Sequence, residues 1–268
     1  MPFAELHHSN IYYEIEGHGP PLVFAHGAGG NHMSWWQQVP EFAGNYTCVV
    51  FDHPSFGQST WSSDVDESIH YGDVAAGLLD HLGIDSCGFI AQSMGGWTAM
   101  GLVERAPEKV AALVLASTHG GVSTPAIDVH LDARNESLSV TRDAWVKRAA
   151  DSFNPALGER ALREQPSIHY LYSEISALNP DSGQAAAARR KWGGRSAEMA
   201  RGIDVPTMII SGQEDIVIPP AALEELHGLI PNSRLERVPE AGHSVYFERP
   251  AAFNRLLKDF LDENYPGG

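Results

Sequence analysis

Ser93 is the residue of this chain best placed for nucleophilic chemistry. It follows a short apolar run at residues 87–91 and precedes a helix that the pattern predicts from about residue 94 to 105. A serine on such a tight strand-to-helix turn exposes its hydroxyl at the start of the helix. Gly95 and Gly96 suit this turn, because a Cβ at either position would crowd the strand. An ordinary helix N-cap would show the same pattern, so a nucleophile needs partners elsewhere.

A base and an acid follow Ser93 in the chain. His243 lies in a loop after a predicted strand, and Asp215 ends the loop after the apolar run at residues 207–211. A serine hydroxyl needs an imidazole within about 2.6–3.2 Å to take its proton, and the imidazole needs an orienting carboxylate. Glu214 is the alternative acid, because it adjoins Asp215.

The elements that must position these residues alternate between strand and helix. Buried strands are predicted at 22–25, 47–51, 87–91, 110–116, 207–211 and 234–238, and two further strands at 3–6 and 10–16. Helices are predicted at 33–43, 67–82, 94–105, 221–229 and 250–261. This alternation predicts an α/β fold with a mostly parallel sheet and helices on both faces. Ligands bind beyond the carboxyl ends of such strands, where all three residues lie.

The middle of the chain has a different pattern. Residues 121–201 are polar and rich in Ala and Arg, and helices are predicted near 141–152, 156–164, 167–178 and 183–191. We interpret this segment as an inserted helical cap. The predicted domains are therefore a core of residues 1–120 and 202–268 and a cap of residues 121–201.

Composition limits the partners. The 268 residues are 43% hydrophobic and carry a net charge of −16 with no basic block, which argues against nucleic acid and anionic membranes as partners. Cys48 and Cys87 lie in apolar runs, as buried free thiols of a reducing compartment do. Neither a signal-peptide pattern nor a membrane-length apolar run is apparent. We expect a cytoplasmic monomer or homodimer that acts on a small molecule.

Two histidine-containing pairs are weak candidates for a metal site. His7 adjoins His8, and Asp128 lies two residues before His130. With 13 histidines such pairs arise by chance, and further ligands at metal-site spacing are missing. We expect neither a metal nor a cofactor.

Five motifs together resemble the α/β-hydrolase fold superfamily over nearly the whole chain. They are His-Gly-Ala-Gly-Gly at 26–30, Asp-x-x-x-x-Gly-x-Ser at 52–59, Gln-Ser-Met-Gly-Gly at 92–96, Gly-Gln-Glu-Asp with Pro219 at 212–219, and Gly-His at 242–243 with Glu248 and Pro250 beyond it. The resemblance implies a sheet of about eight strands with an inserted cap. It also implies Ser93 as nucleophile, Asp215 as acid and His243 as base.

The resemblance further implies an oxyanion hole and a substrate pocket. The oxyanion hole would use the backbone N–H of Met94, the residue after the nucleophile, and that of Ala28 in the His-Gly loop. Candidate pocket residues are Gly27, Trp35, Trp97 and His119.

Two positions depart from the family pattern. Ala91 replaces the first glycine of Gly-x-Ser-x-Gly, and His53-Pro54 replaces the usual Arg-Gly or Pro-Gly after Asp52, which leaves the shape of that loop open. His26 and Asp52 are expected to organise their loops rather than to react.

The expected activity is that of a serine hydrolase that cleaves a small carboxylic ester or lactone through an acyl-enzyme. Hydrolysis of a C–C bond in a ring-cleavage product and cofactor-free perhydrolysis would use the same triad. A C–C hydrolase should also present basic pocket residues, for which Arg189, Arg190, Lys191 and Arg195 are candidates. A non-catalytic receptor for a small ligand is the alternative from another class.

Overall fold

The computed structural model describes residues 2–7, 9–61, 70–148, 154–180 and 194–267, with the backbone only over residues 137–148. Eight strands form one sheet: Phe3–Leu6 (β1), Ser9–Gly17 (β2), Pro21–Ala25 (β3), Thr47–Phe51 (β4), Cys87–Gln92 (β5), Val110–Ala116 (β6), Thr207–Gly212 (β7) and Ser233–Val238 (β8). Their order across the sheet is β1-β2-β4-β3-β5-β6-β7-β8. β2 pairs antiparallel with β1 and β4, and every other pairing is parallel.

Ten α-helices lie in the described part of the chain. They are Val39–Phe42 (α1), Tyr71–Leu82 (α2), Gly95–Arg105 (α3), Pro125–Arg148 (α4), Glu159–Glu164 (α5), Pro166–Ala177 (α6), Ala197–Arg201 (α7), Pro220–Leu229 (α8), Val245–Glu248 (α9) and Pro250–Asn264 (α10). Two short 3₁₀ segments, His32–Trp35 and Pro107–Lys109, complete the helical structure.

The central strands of the sheet are buried on both faces, which explains their continuous apolar runs. In β3, Val23 and Ala25 belong to the core cluster that includes residues of α2, α3 and α8. Leu22 and Phe24 of the same strand belong to the opposite cluster, which includes residues of α10. Successive side chains of a strand point to opposite faces, so each helical layer packs against alternate residues. The predicted α/β fold with helices on both faces is confirmed.

The helix predicted at 33–43 is wrong as one continuous element. The structure has the 3₁₀ segment His32–Trp35 and then the separate short helix α1, with Pro40 in its first turn. Proline has no amide hydrogen to donate and fits only the start of a helix, so a new helix begins there.

Four helices lie in the described part of the segment between β6 and β7. α4 starts at Pro125, well before the predicted 141, while α5 and α6 agree with the predicted helices near 156–164 and 167–178. The predicted helix at 183–191 lies outside the described residues. The division into a core and a cap at residues 121–201 remains a prediction. None of the helices in the described part of the chain is both long and apolar enough to cross a membrane.

Candidate active site

Ser93 lies on a sharp turn between β5 and α3. Its φ is +50°, in the left-handed region that residues with a Cβ rarely adopt. The Ser93 amide donates a hydrogen bond of 3.0 Å to the Ala116 carbonyl at the end of β6. A Cβ on Gly95 would lie 2.3 Å from the Ala25 carbonyl oxygen, and one on Gly96 would lie 2.2 Å from Thr118 Oγ1. Both glycines are required because the helix packs directly against the strand ends.

A hydrogen-bonded chain of three side chains begins at this turn. Ser93 Oγ lies 2.8 Å from His243 Nε2, and His243 Nδ1 lies 2.9 Å from Asp215 Oδ2. His243 is 4% exposed and Asp215 is 5% exposed, so bulk water competes little for these hydrogen bonds. The three residues follow β5, β7 and β8, whose carboxyl ends share one edge of the sheet.

Asp215, rather than Glu214, faces His243. The second carboxylate oxygen of Asp215, Oδ1, accepts hydrogen bonds from the amides of Val217 and Ile218 at 2.8 and 2.9 Å. The Glu214 carboxylate instead accepts hydrogen bonds from the Arg160 guanidinium and is more than a third exposed. The loop after β7 therefore directs the two adjacent carboxylates to different sides.

A buried carboxylate holds the loop that carries His243. Glu248 accepts hydrogen bonds from the amides of Gly242 and Ser244, the two neighbours of His243, at 3.0 and 3.1 Å. It also accepts one at 3.0 Å from the amide of Gly158, in the predicted cap segment. Burial raises the pKa of Glu248, and the three amides oppose that rise. Sequence reasoning noted Glu248 only as part of a motif, because nothing in the pattern shows which amides it contacts.

Two buried hydrogen bonds of His26 hold the His-Gly loop that follows β3. His26 Nδ1 donates to the Gly27 carbonyl at 2.8 Å, and His26 Nε2 accepts from the His53 amide at 3.0 Å. Complete burial lowers the pKa of His26 to about 4, so the ring is neutral at pH 7 with its hydrogen on Nδ1. A Cβ on Gly27 would lie 2.0 Å from Gln92 Oε1 and 3.1 Å from Ser93 Cβ. Gly27 therefore lies directly against the serine.

Two backbone amides beside Ser93 keep their hydrogens available. Among the described residues, neither the Ala28 amide nor the Met94 amide donates a hydrogen bond to another protein group. Ala28 packs against the small apolar cluster that contains Met94, so the two loops meet next to the serine. Two available backbone donors on neighbouring loops suit the oxygen of a polarised carbonyl group.

A small buried apolar cluster includes Met94, the residue after Ser93. Phe56, Tyr71 and Met94 form the buried cluster, with Ala28 and Trp97 packed against it. Phe56 and Tyr71 were missed by sequence reasoning. Phe56 lies in the loop after β4, and that placement at a strand's carboxyl end was the signal that could have identified it.

Trp97 and His119 lie together at the edge of this cluster. Their rings are in edge contact, with centroids 4.9 Å apart. His119 Nδ1 donates to the Val122 carbonyl at 2.9 Å, and burial lowers the pKa of the ring. His119 is thus neutral at pH 7, and Nε2 is its available acceptor.

Trp35 does not belong to this surface, which corrects the expectation that it lines the substrate pocket. Its side chain is fully buried and packs against the rings of Phe24 and Tyr246 with centroids 5.2 and 4.4 Å away. The 3₁₀ segment turns Trp35 towards the sheet, while Trp36 next to it is 44% exposed.

Asp52 gives the loop after β4 its shape. Its Oδ1 accepts from the His32 amide at 2.6 Å, and its Oδ2 accepts from the Gln58 amide at 2.7 Å. His53 turns inward, where its Nε2 lies 2.7 Å from Thr98 Oγ1. The departure from the family pattern at His53-Pro54 is therefore accommodated by a buried imidazole.

Both cysteines are buried, and the candidate metal ligands do not form a metal site among the described residues. Cys48 and Cys87 are buried free thiols, and burial raises the pKa of each to about 12. Asp128 accepts a hydrogen bond of 2.7 Å from Ser123, and His8 lies outside the described residues. Among the residues that the structure describes, no group of three or more His, Cys, Asp or Glu side chains could hold a metal ion.

Residues 22–256 match the profile of the alpha/beta hydrolase family. The chain belongs to this family. A 2-hydroxymuconate semialdehyde hydrolase of Pseudomonas sp. strain CF600 is 34% identical over 92% of this chain and 88% of its own length. Two solved structures are also similar, and both cover nearly all of the chain.

The first of these structures is Est816, described as an N-acyl homoserine lactone degrading enzyme. It has a TM-score of 0.78 at 27% identity, over 97% of this chain and 100% of that one. The second is a thermophilic esterase from Thermogutta terrifontis, with a TM-score of 0.79 at 25% identity, over 96% and 94% of the two chains. Membership of the family supports hydrolase chemistry, but the relatives differ in the substrate they are named for.

Proposed function

We propose that this protein is a serine hydrolase that cleaves a small carboxylic ester or lactone, with Ser93, His243 and Asp215 as its catalytic triad. The observation that carries the proposal is the continuous hydrogen-bonded chain from Ser93 Oγ through His243 to Asp215, at 2.8 and 2.9 Å. It occurs on a left-handed serine turn beside two backbone amides that donate no hydrogen bond to another described residue, and acyl transfer uses such a combination.

Acylation follows from these positions. Ser93 Oγ forms a bond to the substrate carbonyl carbon while its proton passes to His243 Nε2. The carbonyl oxygen becomes an oxyanion that accepts hydrogen bonds from the Ala28 and Met94 amides, an effect worth about 3–4 kcal/mol per donor in transition-state stabilisation. Collapse of this intermediate breaks the bond to the leaving alcohol, which takes the proton back from His243 Nε2. Asp215 orients the imidazole and stabilises its charged form.

Deacylation repeats these steps with water. His243 Nε2 takes a proton from water as its oxygen bonds to the acyl carbon, and the same two amides hold the second oxyanion. Collapse breaks the bond to Ser93 Oγ, which recovers its proton from His243. The products are a carboxylic acid and an alcohol, or one hydroxy acid when the substrate is a lactone.

The surroundings of Ser93 support an apolar substrate of low charge. The buried cluster of Phe56, Tyr71 and Met94, with Ala28 and Trp97 packed against it, makes the interior next to the Ser93 turn apolar. Arg195 is a candidate for binding an anionic substrate, but its side chain contacts other protein groups. The guanidinium donates hydrogen bonds to the carbonyls of Gly120 and Trp97 and forms an ion pair with Glu104 at 3.3 Å. Arg189, Arg190 and Lys191 lie outside the described residues.

The test is hydrolysis of p-nitrophenyl esters of increasing acyl length, together with a series of simple lactones. Ser93→Ala should lower kcat/KM by at least about 1,000-fold, because the nucleophile is removed. Ser117→Ala is the matched control. Ser117 also has a left-handed φ, of +49°, and directly follows the neighbouring strand β6, but it lies outside the hydrogen-bonded chain.

The control variant should keep the wild-type rate. Equal rates of wild type and Ser93→Ala would refute the assignment of Ser93 as nucleophile. A fluorophosphonate probe separates an enzyme from a receptor, because only a serine activated by its histidine reacts rapidly. Wild-type protein that stays unlabelled would exclude the serine-hydrolase mechanism.

A second candidate, hydrolysis of a C–C bond in a ring-cleavage product, is favoured by one observation. The 34% identical relative is named for 2-hydroxymuconate semialdehyde, an unsaturated acid, rather than for an ester. The same triad would serve, but the substrate carboxylate would need a cationic partner. Parallel assays of 2-hydroxymuconate semialdehyde and of p-nitrophenyl esters, with and without hydrogen peroxide, compare C–C hydrolysis, ester hydrolysis and perhydrolysis. A higher kcat/KM for the semialdehyde would replace the ester proposal.

A further inference from the structure

A second cavity lies apart from the Ser93 site. It has a volume of about 620 Å³, and we call it the β2 trough. Its lining comes from strands β2 and β4, from the 3₁₀ segment His32–Trp35, from α1 and from α6. The lining residues are Glu14, Glu16, His32, Met33, Trp35, Trp36, Val39, Pro40, Cys48, Val50, Leu171 and Ile175. None of these residues belongs to the triad or to the apolar cluster beside Ser93. The trough is therefore a separate site, of a size that suits a small organic molecule.

The walls of the trough are apolar and partly open to solvent. Trp36 is 44% exposed and Met33 is 43% exposed, although both are large hydrophobic side chains. Ile175 of α6 and Val50 of β4 are buried in the same lining. An indole that is held against the protein and still presents surface to an open cavity is well placed to contact a ligand.

Two carboxylates line the trough beside this apolar surface. Glu14 and Glu16 pair with Val50 and Cys48 across the β2–β4 ladder, so their side chains share one face of the sheet about 6.7 Å apart along β2. Glu14 accepts a hydrogen bond of 2.6 Å from Tyr12 and lies 3.8 Å from His32. The Glu16 side chain makes no hydrogen bond or ion pair with another described residue.

We propose that the β2 trough binds a small organic cation with an apolar body, such as a substituted ammonium ion. An ammonium group attracts both a carboxylate and an aromatic face, and the trough combines Glu16 with the exposed indole of Trp36. The apolar body would contact Met33 and Val39. The net charge of −16 adds a long-range attraction for cations and a repulsion for anions.

Helix α6 connects the β2 trough to the loop that carries Ala28. Tyr172, in the helix that supplies Ile175 to the trough, has its hydroxyl 2.9 Å from the position that a Cβ on Gly29 would occupy. The Asn31 side chain donates to the Ile175 carbonyl at 2.9 Å. A ligand in the trough would therefore contact a helix that also contacts the loop of Ala28, but binding itself does not depend on the proposed hydrolase function.

Isothermal titration calorimetry with benzyltrimethylammonium tests the proposal. For a ligand of this size we expect a Kd of about 0.1–1 mM. Benzyl alcohol and phenylacetate, the neutral and anionic comparisons, should bind at least about 10-fold more weakly because they lack the cation. Glu16→Gln and Trp36→Ala should each raise the Kd for the cation by about 3–5-fold.

Two matched variants serve as controls. Glu5→Gln removes the same charge from an exposed position on β1, outside the trough, and Trp97→Ala removes a tryptophan beside Ser93 instead. Both should leave the Kd unchanged. Equal binding of the neutral probe, an unchanged Kd in Glu16→Gln, or loss of binding in Trp97→Ala but not in Trp36→Ala would each overturn the proposal. Circular dichroism establishes that each variant is folded.

Discussion

Ser93 holds a backbone conformation that its own side chain disfavours. A residue with a Cβ pays roughly 1–2 kcal/mol for the left-handed region, and Ser93 has a φ of +50°. The turn persists because the Ser93 amide bonds to the Ala116 carbonyl, and because Gly95 and Gly96 let α3 start against the strand ends. The proposed nucleophile therefore sits where packing of the core stabilises a strained residue.

This strain predicts that Ser93→Gly is more stable than the wild type although it is inactive. Glycine adopts the left-handed conformation without a Cβ penalty, and we expect a gain of about 1 kcal/mol in the free energy of unfolding. Urea denaturation with an unchanged m-value measures it. A loss of stability in Ser93→Gly would mean that the serine side chain contributes more to the fold than its backbone costs.

The junction between β5 and α3 depends on close approach of the two elements. Gly95 brings the helix start within contact of β3, since a Cβ there would lie 2.3 Å from the Ala25 carbonyl oxygen. That neighbour is backbone and cannot turn away as a side chain could. In contrast, Gly228 lies near the end of α8 with nothing within 4 Å of a Cβ position.

Gly95→Ala and Gly228→Ala should therefore have effects of opposite sign. We expect Gly95→Ala to lose about 2–3 kcal/mol of stability through overpacking. Gly228→Ala should gain about 0.5–1 kcal/mol, because alanine is the better helix former. Denaturant titrations of the two variants measure both effects. A neutral Gly95→Ala would show that α3 can shift away from β3 without cost.

Glu248 connects α9 to two other segments. Its carboxylate accepts from the amides on both sides of His243 and from Gly158, so the position of the proposed base depends on a buried acceptor. Hydrogen bonds to a charged group stabilise by roughly 1.5–3 kcal/mol each, and glutamine could satisfy only some of these amides.

We therefore expect Glu248→Gln to lower kcat about 10-fold with KM changed less than about 2-fold, and to cost about 2 kcal/mol of stability. Ester hydrolysis, the rate of fluorophosphonate labelling and urea denaturation measure these effects at a temperature where both proteins are folded. Glu240→Gln is the control, because Glu240 is 61% exposed and forms only surface ion pairs. A destabilised but fully active Glu248→Gln would show that the carboxylate supports the fold and does not position His243.

The protein contains buried histidine rings that must stay neutral if the whole molecule is to remain folded. Burial lowers the pKa of His26 to about 4, and it lowers the pKa of His53 well below its usual value. The unfolded chain exposes both rings, which then bind protons near pH 6.5. Between about pH 6.5 and 4 the unfolded state binds more protons at His26, so stability falls as the pH falls through this range.

His26→Asn should show a weaker pH dependence than the wild type. From pH 7.5 to pH 5 we expect the wild type to lose about 2 kcal/mol more stability than the variant, since the variant has no buried imidazole at this position. Urea denaturation at the two pH values measures the difference. His18→Asn, which changes an exposed histidine, should behave like the wild type. Equal pH dependence in wild type and His26→Asn would place the acid sensitivity elsewhere.

The central strands of the sheet could be predicted because they are short, continuously apolar and buried on both faces. The runs at 47–51 and 110–116 coincide with β4 and β6, and the strand predicted at 207–211 is one residue shorter than β7. Prediction failed where the pattern was weak. The helix predicted at 33–43 is interrupted between Trp35 and Val39, and α4 begins sixteen residues before its predicted start, since its sequence shows little helical periodicity.

By itself, the sequence determined the α/β fold, the chain order of Ser93, Asp215 and His243, and their places after three strands. These features depend on local pattern and on the rule that parallel strands end at one edge. The three-dimensional fold was needed to show that Asp215 rather than Glu214 faces His243, that Trp35 is buried in the core, and that Phe56 and Tyr71 pack with Met94, the residue after Ser93. Each of these outcomes is set by contacts between residues far apart in the chain, which a local sequence pattern does not show.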